Sequence, residues 1–361
     1  MNPFHGAKVI QNIEKQIIMM KKILVTGGAG FIGSHTVVEL QNAGYEPVIV
    51  DNLFNASADV IDNIAKITGK KPAFEQVDCC DKEAMADVFR KYGNIEAVIH
   101  FAAFKAVGES TEKPREYYRN NLVSLLNLLD LMPENGVKGI VFSSSCTVYG
   151  QPEQVPVNEQ SPILPANCPY GNTKQICEEI IRDTVAAGVP VKSILLRYFN
   201  PIGAHPTSLI GELPNGVPLN LVPYITQTAI GIREQLSVFG DDYNTRDGSC
   251  IRDYIDVVDL AKAHVLAITR ILEMDTEQVE VFNLGTGNGV SVLELVKTFE
   301  KATGVKVNYR IAPRRAGDVE QVYADCTKAN TVLGWKAEVP LEDTLRNAWN
   351  WQKHLREEGI M

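Results

Sequence analysis

Positive charge is in short supply in this chain: 35 lysines and arginines stand against 44 aspartates and glutamates, a net charge of -9 over 361 residues. That is the wrong sign for an electrostatic footprint on nucleic acid or anionic lipid, so neither nucleic acid nor a membrane is expected as a partner. Cysteine is sparse as well. Cys79, Cys80, Cys146, Cys168, Cys177, Cys250 and Cys326 are odd in number and lack C-x-x-C spacing, which points away from a disulfide framework or zinc cage and toward reduced thiols in the cytoplasm. His5, His35, His100, His205, His264 and His354 are scattered without ligand spacing, so no metal is expected. No apolar run approaches the roughly 18 residues that a membrane span needs. Residues 1–20 end apolar but have no small-residue cleavage site, and they read as an N-terminal extension outside a fold that begins at Lys21.

What is present is alternation. Short β-branched runs at 22–26, 46–51, 73–78, 97–103, 139–145 and 191–199 are separated by amphipathic stretches such as 31–44 and 115–132. Strands apolar along their whole length are buried on both faces, which requires helices above and below. The fold class is therefore α/β, a doubly wound parallel sheet of Rossmann type. After Tyr198 the texture changes, with Pro201, Pro206, Pro214, Pro218 and Pro223 close together. Residues 21–198 are expected to form the dinucleotide-binding domain, and 199–361 mainly a smaller α/β substrate domain. Strand-like runs at 251–257 and 281–287 and helix-like runs at 258–272, 291–303 and 341–356 allow the chain to cross back to the first domain.

Thr26-Gly27-Gly28-Ala29-Gly30-Phe31-Ile32-Gly33 follows the first strand and opens a helix, the context a dinucleotide fingerprint requires. Gly27 permits the tight turn, Gly30 the approach of a pyrophosphate, and Gly33 the packing of helix on sheet. The spacing is GxxGxxG, which a structural turn can also have. Asp51 sharpens the reading, because it ends the next strand 18 residues after Gly33, where a carboxylate accepts ribose hydroxyls. Asn52 follows it and no arginine stands beside it, which favours NAD over NADP. Asp78, at the end of the third strand, can meet adenine or cap a helix.

Tyr170 and Lys174 lie four residues apart just after Pro169, a residue favoured at the first helical position. A phenol with a pKa of about 10 is roughly one part in a thousand ionised at pH 7, and lowering it by three units takes about 4 kcal/mol. A cation about 4 Å away supplies roughly that at an effective dielectric near 20, so the pair can make a base. Ser143, Ser144 and Ser145 close an apolar strand, where doubly wound sheets place ligands. One hydroxyl should reach the crevice; Ser143 reads as a turn former.

Together with HFAAFKAVGES (100–110), SSSCTVYG (143–150), CPYGNTKQICEE (168–179), LRYFNPIGAHP (196–206), NLVPYI (220–225), VFGDDYNTRDG (238–248), IRDYIDVVDLA (251–261), NLGTG (283–287) and PRRAGD (313–318), these elements resemble the extended short-chain dehydrogenase/reductase superfamily, specifically its UDP-galactose (UDP-glucose) 4-epimerases. The resemblance runs from residue 21 to about 352. It implies tightly held NAD, a UDP-hexose substrate, a homodimer formed through 114–132 and 169–188, and redox-neutral epimerisation through a 4-keto sugar. By this likeness Tyr170 is the base toward the sugar 4-hydroxyl, Lys174 holds the nicotinamide ribose, and Ser145 bonds the reacting oxygen. Phe31, Ile32, Asn52, Asn55, Phe101, Ala102, Lys105 and Asn120 approach the cofactor. Asn200, Asn220, Phe239, Arg252, Arg315 and Asp318 match positions that hold the uracil nucleotide and its diphosphate. Without the likeness, Arg252 reads as the partner of Asp253 or Asp256. Ala103 and Cys146 replace a common glycine and alanine. Val322 falls where a tyrosine narrows the hexose pocket in members limited to glucose and galactose, which extends the expectation to N-acetylhexosamines unless Tyr323 occupies that register. Two alternatives are a 4,6-dehydratase, which lacks its Asp-Glu pair here, and a non-catalytic NAD-sensing module, which would have lost the Tyr-Lys pair.

Overall fold

The computed structural model describes residues 20–276, 278–315 and 318–361. Of the expected N-terminal extension, residues 1–19 lie outside the described residues, as do Ala316 and Gly317 of the 313–318 motif. The centre is a seven-stranded sheet, every pairing in it parallel, in the order β10-β6-β5-β4-β1-β2-β3. Its strands are β1 (Lys22–Thr26), β2 (Glu46–Val50), β3 (Ala73–Glu75), β4 (Ile95–His100), β5 (Gly139–Ser143), β6 (Lys192–Tyr198) and β10 (Val279–Leu284).

Successive strand residues point to opposite faces, and the core divides accordingly. Ile23, Val25, Ile49, Ile99 and Val141 join one apolar cluster. Leu24, Val48, Val50, Val98 and Ile140 join the other. Helices α1 (Phe31–Asn42) and α8 (Val257–Glu273) cover the first face, while α5 (Pro114–Glu134) and α6 (Pro169–Ala186) cover the second. Pro114 and Pro169 both sit at helix starts, where the missing N–H costs nothing. Gly44 takes the left-handed backbone, φ +83°, just past α1.

Several expected runs differ in extent: the 97–103 run starts at Ile95 and ends at His100, and the 139–145 run stops at Ser143. The 73–78 strand stops at Glu75, after which Val77 N bonds back to the Glu75 carbonyl and the Asp78 carboxylate accepts Cys80 N at 2.8 Å. The 281–287 run starts two residues earlier and ends at Leu284, because its pairing with β6 covers Ser193 to Tyr198. A second sheet is centred on β9 (Ile251–Asp256), which pairs with β7 (Asn200–Ile202), β11 (Gly289–Ser291) and β13 (Gln321–Val322). A parallel pair, β8 (Leu236–Phe239) with β12 (Tyr309–Ala312), lies beside it. β9 matches the strand-like run at 251–257, whereas the other strands escape sequence reading because two to four residues carry too little periodicity.

Candidate active site

Of the expected cofactor residues, Gly27, Gly30, Asp51, Asn52, Phe101 and Ala102 follow the carboxyl ends of β1, β2 and β4, whereas Asn120 lies within α5 and Tyr170 and Lys174 on α6. Gly27 is left-handed, φ +71°, and a β-carbon there would lie 2.7 Å from Ala102 N, so both its conformation and its neighbour require glycine. A β-carbon on Gly33 would overlap the Gly27 carbonyl oxygen, which is how α1 packs so tightly on the turn. Gly30 caps α1 with no side-chain hydrogen bond and has only the Gly27 carbonyl near its β position, at 3.2 Å. The amino end of α1, Phe31 and Ile32 included, thus opens onto a bare backbone cradle.

The Asp51 carboxylate accepts Ala29 N at 3.1 Å and Leu53 N at 2.9 Å, tying the glycine turn to the end of β2. Burial raises its pKa, and the two amides act in the opposite direction. Asn52 donates to Asp78 at 3.1 Å, and Asn55 is exposed on the same rim. Phe101 packs against His264, Lys105 pairs with Glu212 at 3.3 Å, and Asn120 donates to Asn121 at 3.0 Å. A glycine cradle that a β-carbon would fill, with a carboxylate at the next strand end, fits a dinucleotide diphosphate and ribose.

β5 delivers Ser145 to this crevice in extended backbone, its Oγ accepting Thr147 N at 3.2 Å. The first turn of α6 brings Tyr170 opposite, and Lys174 follows one turn on, almost wholly buried. Lys174 Nζ donates to the Ser143 carbonyl at 2.7 Å and stands 5.9 Å from the centre of the Tyr170 ring. Ser143 ends β5 and hydrogen bonds Tyr198 through its hydroxyl, while the cap of the following turn is Ser145.

Burial dominates the electrostatics of this pair. Burial pushes the Tyr170 phenol above its ordinary value, with the Ser145 hydroxyl acting downward, and it also lowers the Lys174 ammonium to about 8. Burial thus acts against the charged form of each group.

On the substrate side, Arg252 and Arg315 converge on Asp318, at 3.9 and 2.8 Å, and the Arg315 guanidinium lies over the Phe239 ring at 5.5 Å. The alternative partners of Arg252 are engaged elsewhere. Asp253 accepts Thr286, Gly287 and Ala324 amides, and Asp256 caps α8 and accepts the Thr344 hydroxyl. Asn200 pairs with Tyr254 on β9, and Asn220 donates to Glu212, the carboxylate it shares with Lys105. Val322 pairs in register with Arg252 and packs with Tyr149, Phe199 and Cys146. Tyr323 points the other way, toward Gly289, so it does not occupy the Val322 position. Glu178 and Glu212 were missed by sequence reading; Glu178 had a signal, at the eighth position after Tyr170 on one helix face.

A doubly wound sheet with this cradle, and a Tyr-x-x-x-Lys helix facing a strand-end serine, defines a dinucleotide-dependent enzyme of the extended short-chain dehydrogenase/reductase class. The family model described as GDP-mannose 4,6 dehydratase matches residues 24–348. A UDP-glucose 4-epimerase of Bacillus subtilis is 53% identical over 330 residues, 91% of this chain and 96% of its own. Among solved structures, the Stenotrophomonas maltophila UDP-glucose-4-epimerase with bound NAD and formylated UDP-arabinopyranose superposes with a TM-score of 0.90 at 47% identity, covering 94% of this chain and 99% of its own. The Bifidobacterium longum UDP-glucose 4-epimerase in complex with NAD+ and UDP gives 0.89 at 49%, covering 92% and 98%. The chain belongs to the UDP-glucose 4-epimerase family, within the wider family that the dehydratase model describes.

Proposed function

We propose that this chain is an isomerase that holds NAD and interconverts UDP-galactose and UDP-glucose through transient oxidation at C4. The observation that carries the reading is the meeting of Ser145, Tyr170 and Lys174 beside the glycine cradle, in the frame shared with epimerases of about half-identical sequence. When bound, NAD supplies acceptance and return of the C4 hydride. Gly27, Gly30 and Gly33 leave the backbone room for its diphosphate, Asp51 receives the adenosine ribose, and Lys174 the nicotinamide ribose. Phe31, Ile32, Asn52, Asn55, Asp78, Phe101, Ala102, Lys105 and Asn120 complete that wall.

Ser145 bonds the sugar 4-oxygen, and Tyr170 Oη takes the 4-hydroxyl proton and later returns it. Burial holds the phenol up, and the Ser145 hydroxyl is the group of this chain that acts toward ionisation. Arg252 and Arg315, held side by side by Asp318, present guanidinium forks to the substrate diphosphate, with Phe239, Asn200 and Asn220 around the nucleotide. The purified protein should convert UDP-galactose to UDP-glucose with no cofactor added; NADH accumulating in step with turnover would refute the reading. A 4,6-dehydratase needs an acid after the strand-end hydroxyl, whereas here Ser145 and Cys146 follow Ser144, and burial holds the Cys146 thiol up at about 12.

Val322 favours one extension: a valine in register with Arg252 is smaller than the tyrosine of members limited to glucose and galactose, which supports UDP-N-acetylglucosamine as a second substrate. The assembly we infer is a homodimer through α5 and α6, where Leu126 stands exposed beside the half-buried Leu122 and Val123. A cytoplasmic setting is supported by the free cysteines and by the want of any helix, among the described residues, long and apolar enough to cross a membrane. The domain division we favour keeps 21–198 as the cofactor domain, joined by α8 and β10, and gives the rest of 199–361 to the sugar nucleotide.

A further inference from the structure

One buried charge cluster lies directly behind the site and takes no part in the chemistry just described. Glu178, on α6, is 4% exposed, and Arg197, on β6, is 3% exposed. The Arg197 Nε donates to Glu178 Oε1 at 2.9 Å and its Nη2 to Oε2 at 2.6 Å, a two-pronged pair. Ser144 Oγ donates to the same Oε1 at 2.6 Å. Arg197 Nη1 donates to Tyr149 Oη at 3.1 Å, and that hydroxyl donates to Asn283 Oδ1 at 2.6 Å, on β10.

The position of this cluster matters more than its strength. A buried ion pair is weak evidence for stability, since burying two charges costs about as much as their attraction returns. Its retention needs a reason of geometry. Tyr170, Lys174 and Glu178 recur every fourth residue along α6, so they share one face. Ser145 stands between two residues that the cluster holds: Ser144 before it, bonded to Glu178, and Tyr149 at the end of the turn after it, bonded to Arg197. The helix that carries Tyr170 and the strand end that carries Ser145 are thus pinned to the same carboxylate.

We propose that Glu178, braced by Arg197, is the positioning residue that sets the distance between Ser145 and Tyr170, with Ser144 as the link to the strand end. The inference rests on the epimerase reading, because it assigns the cluster to the geometry of that reaction. Misplacement of reacting groups by about 1 Å can cost about a hundredfold in rate, whereas substrate binding through Arg252 and Arg315 lies elsewhere and is untouched.

The test compares wild type with Glu178→Gln, Ser144→Ala and the double variant, all assayed with UDP-galactose after circular dichroism shows them folded. Glu178→Gln should lower kcat about a hundredfold and Ser144→Ala about tenfold, with KM unchanged in both. The double variant should be no slower than Glu178→Gln alone, as expected of residues acting as one unit. Ser144→Ala leaves the ion pair whole, so it decides the matter if Glu178→Gln does not fold. A folded Ser144→Ala enzyme with wild-type kcat, or losses confined to KM, overturns the proposal. An inactive wild type instead counts against the epimerase reading, so the two failures are distinct.

Discussion

The two halves of the proposed site are built by different means. On the dinucleotide side the backbone does the work: Gly27 cannot carry a side chain without striking Ala102, and Asp51 is fixed by the amides of Ala29 and Leu53. On the side proposed for the sugar nucleotide, long side chains take the place of backbone. Arg315 and Phe239 are well exposed, and Arg252 and Arg315 are organised chiefly by Asp318. A preformed backbone cradle tolerates almost no substitution but does one task. A cluster of side chains can be altered piece by piece, and selectivity between sugars belongs there.

Substitutions on each side should separate these two modes. The largest effect is expected where the halves meet: Tyr170→Phe should lower kcat by about 10² to 10⁴, the usual range for acid–base catalysis, with the fold intact by circular dichroism. A fall below about tenfold would remove Tyr170 as the base. Gly27→Ala comes next, since it forces a β-carbon into left-handed backbone beside Ala102; a loss of about 1–3 kcal/mol in denaturant melts, with less NAD copurifying, is the expected result. Arg252→Ala should behave oppositely, raising KM for UDP-galactose about tenfold or more while bound NAD and melting hold, as for a lost hydrogen bond to a charged group.

Lys174 links the halves, and its sign is defined. Its pKa in the fold is about 8 against 10.5 for an ordinary lysine, so the cost of burying its charge is fully present below pH 8 and is relieved as pH rises toward 10.5. Lys174→Met should therefore gain stability over wild type at pH 7 and lose that advantage above pH 8, while the decline of kcat above about pH 8 in wild type disappears. Melting and pH-rate profiles of both proteins check this. Val322→Tyr should have the smallest effect, shifting kcat/KM between UDP-N-acetylglucosamine and UDP-glucose toward the plain sugar; an unchanged ratio would remove position 322 as the gate.

The same contrast governs what could be read from sequence. The cradle was legible because each glycine answers a local backbone demand, and β1 could be bounded at Lys22 and Thr26 by the turn that follows. The substrate side was legible only through likeness, since nothing in IRDYID tells whether Arg252 meets Asp253, Asp256 or the distant Asp318. For the Tyr170–Lys174 pair, helix spacing gives proximity but not solvation. Desolvation depends on what Phe142, Ser143 and the covering elements exclude, and that is a property of the folded chain.

The central claim is that the hydrogen removed from C4 never leaves the protein and returns to the same carbon. UDP-galactose carrying deuterium at C4, turned over in ordinary water, tests it by mass spectrometry and NMR of the product. The account predicts UDP-glucose with the deuterium retained at C4. Product in which solvent hydrogen has replaced it would contradict the account, because the exchange would then proceed through proton abstraction from carbon rather than through the cofactor held against Tyr170 and Lys174.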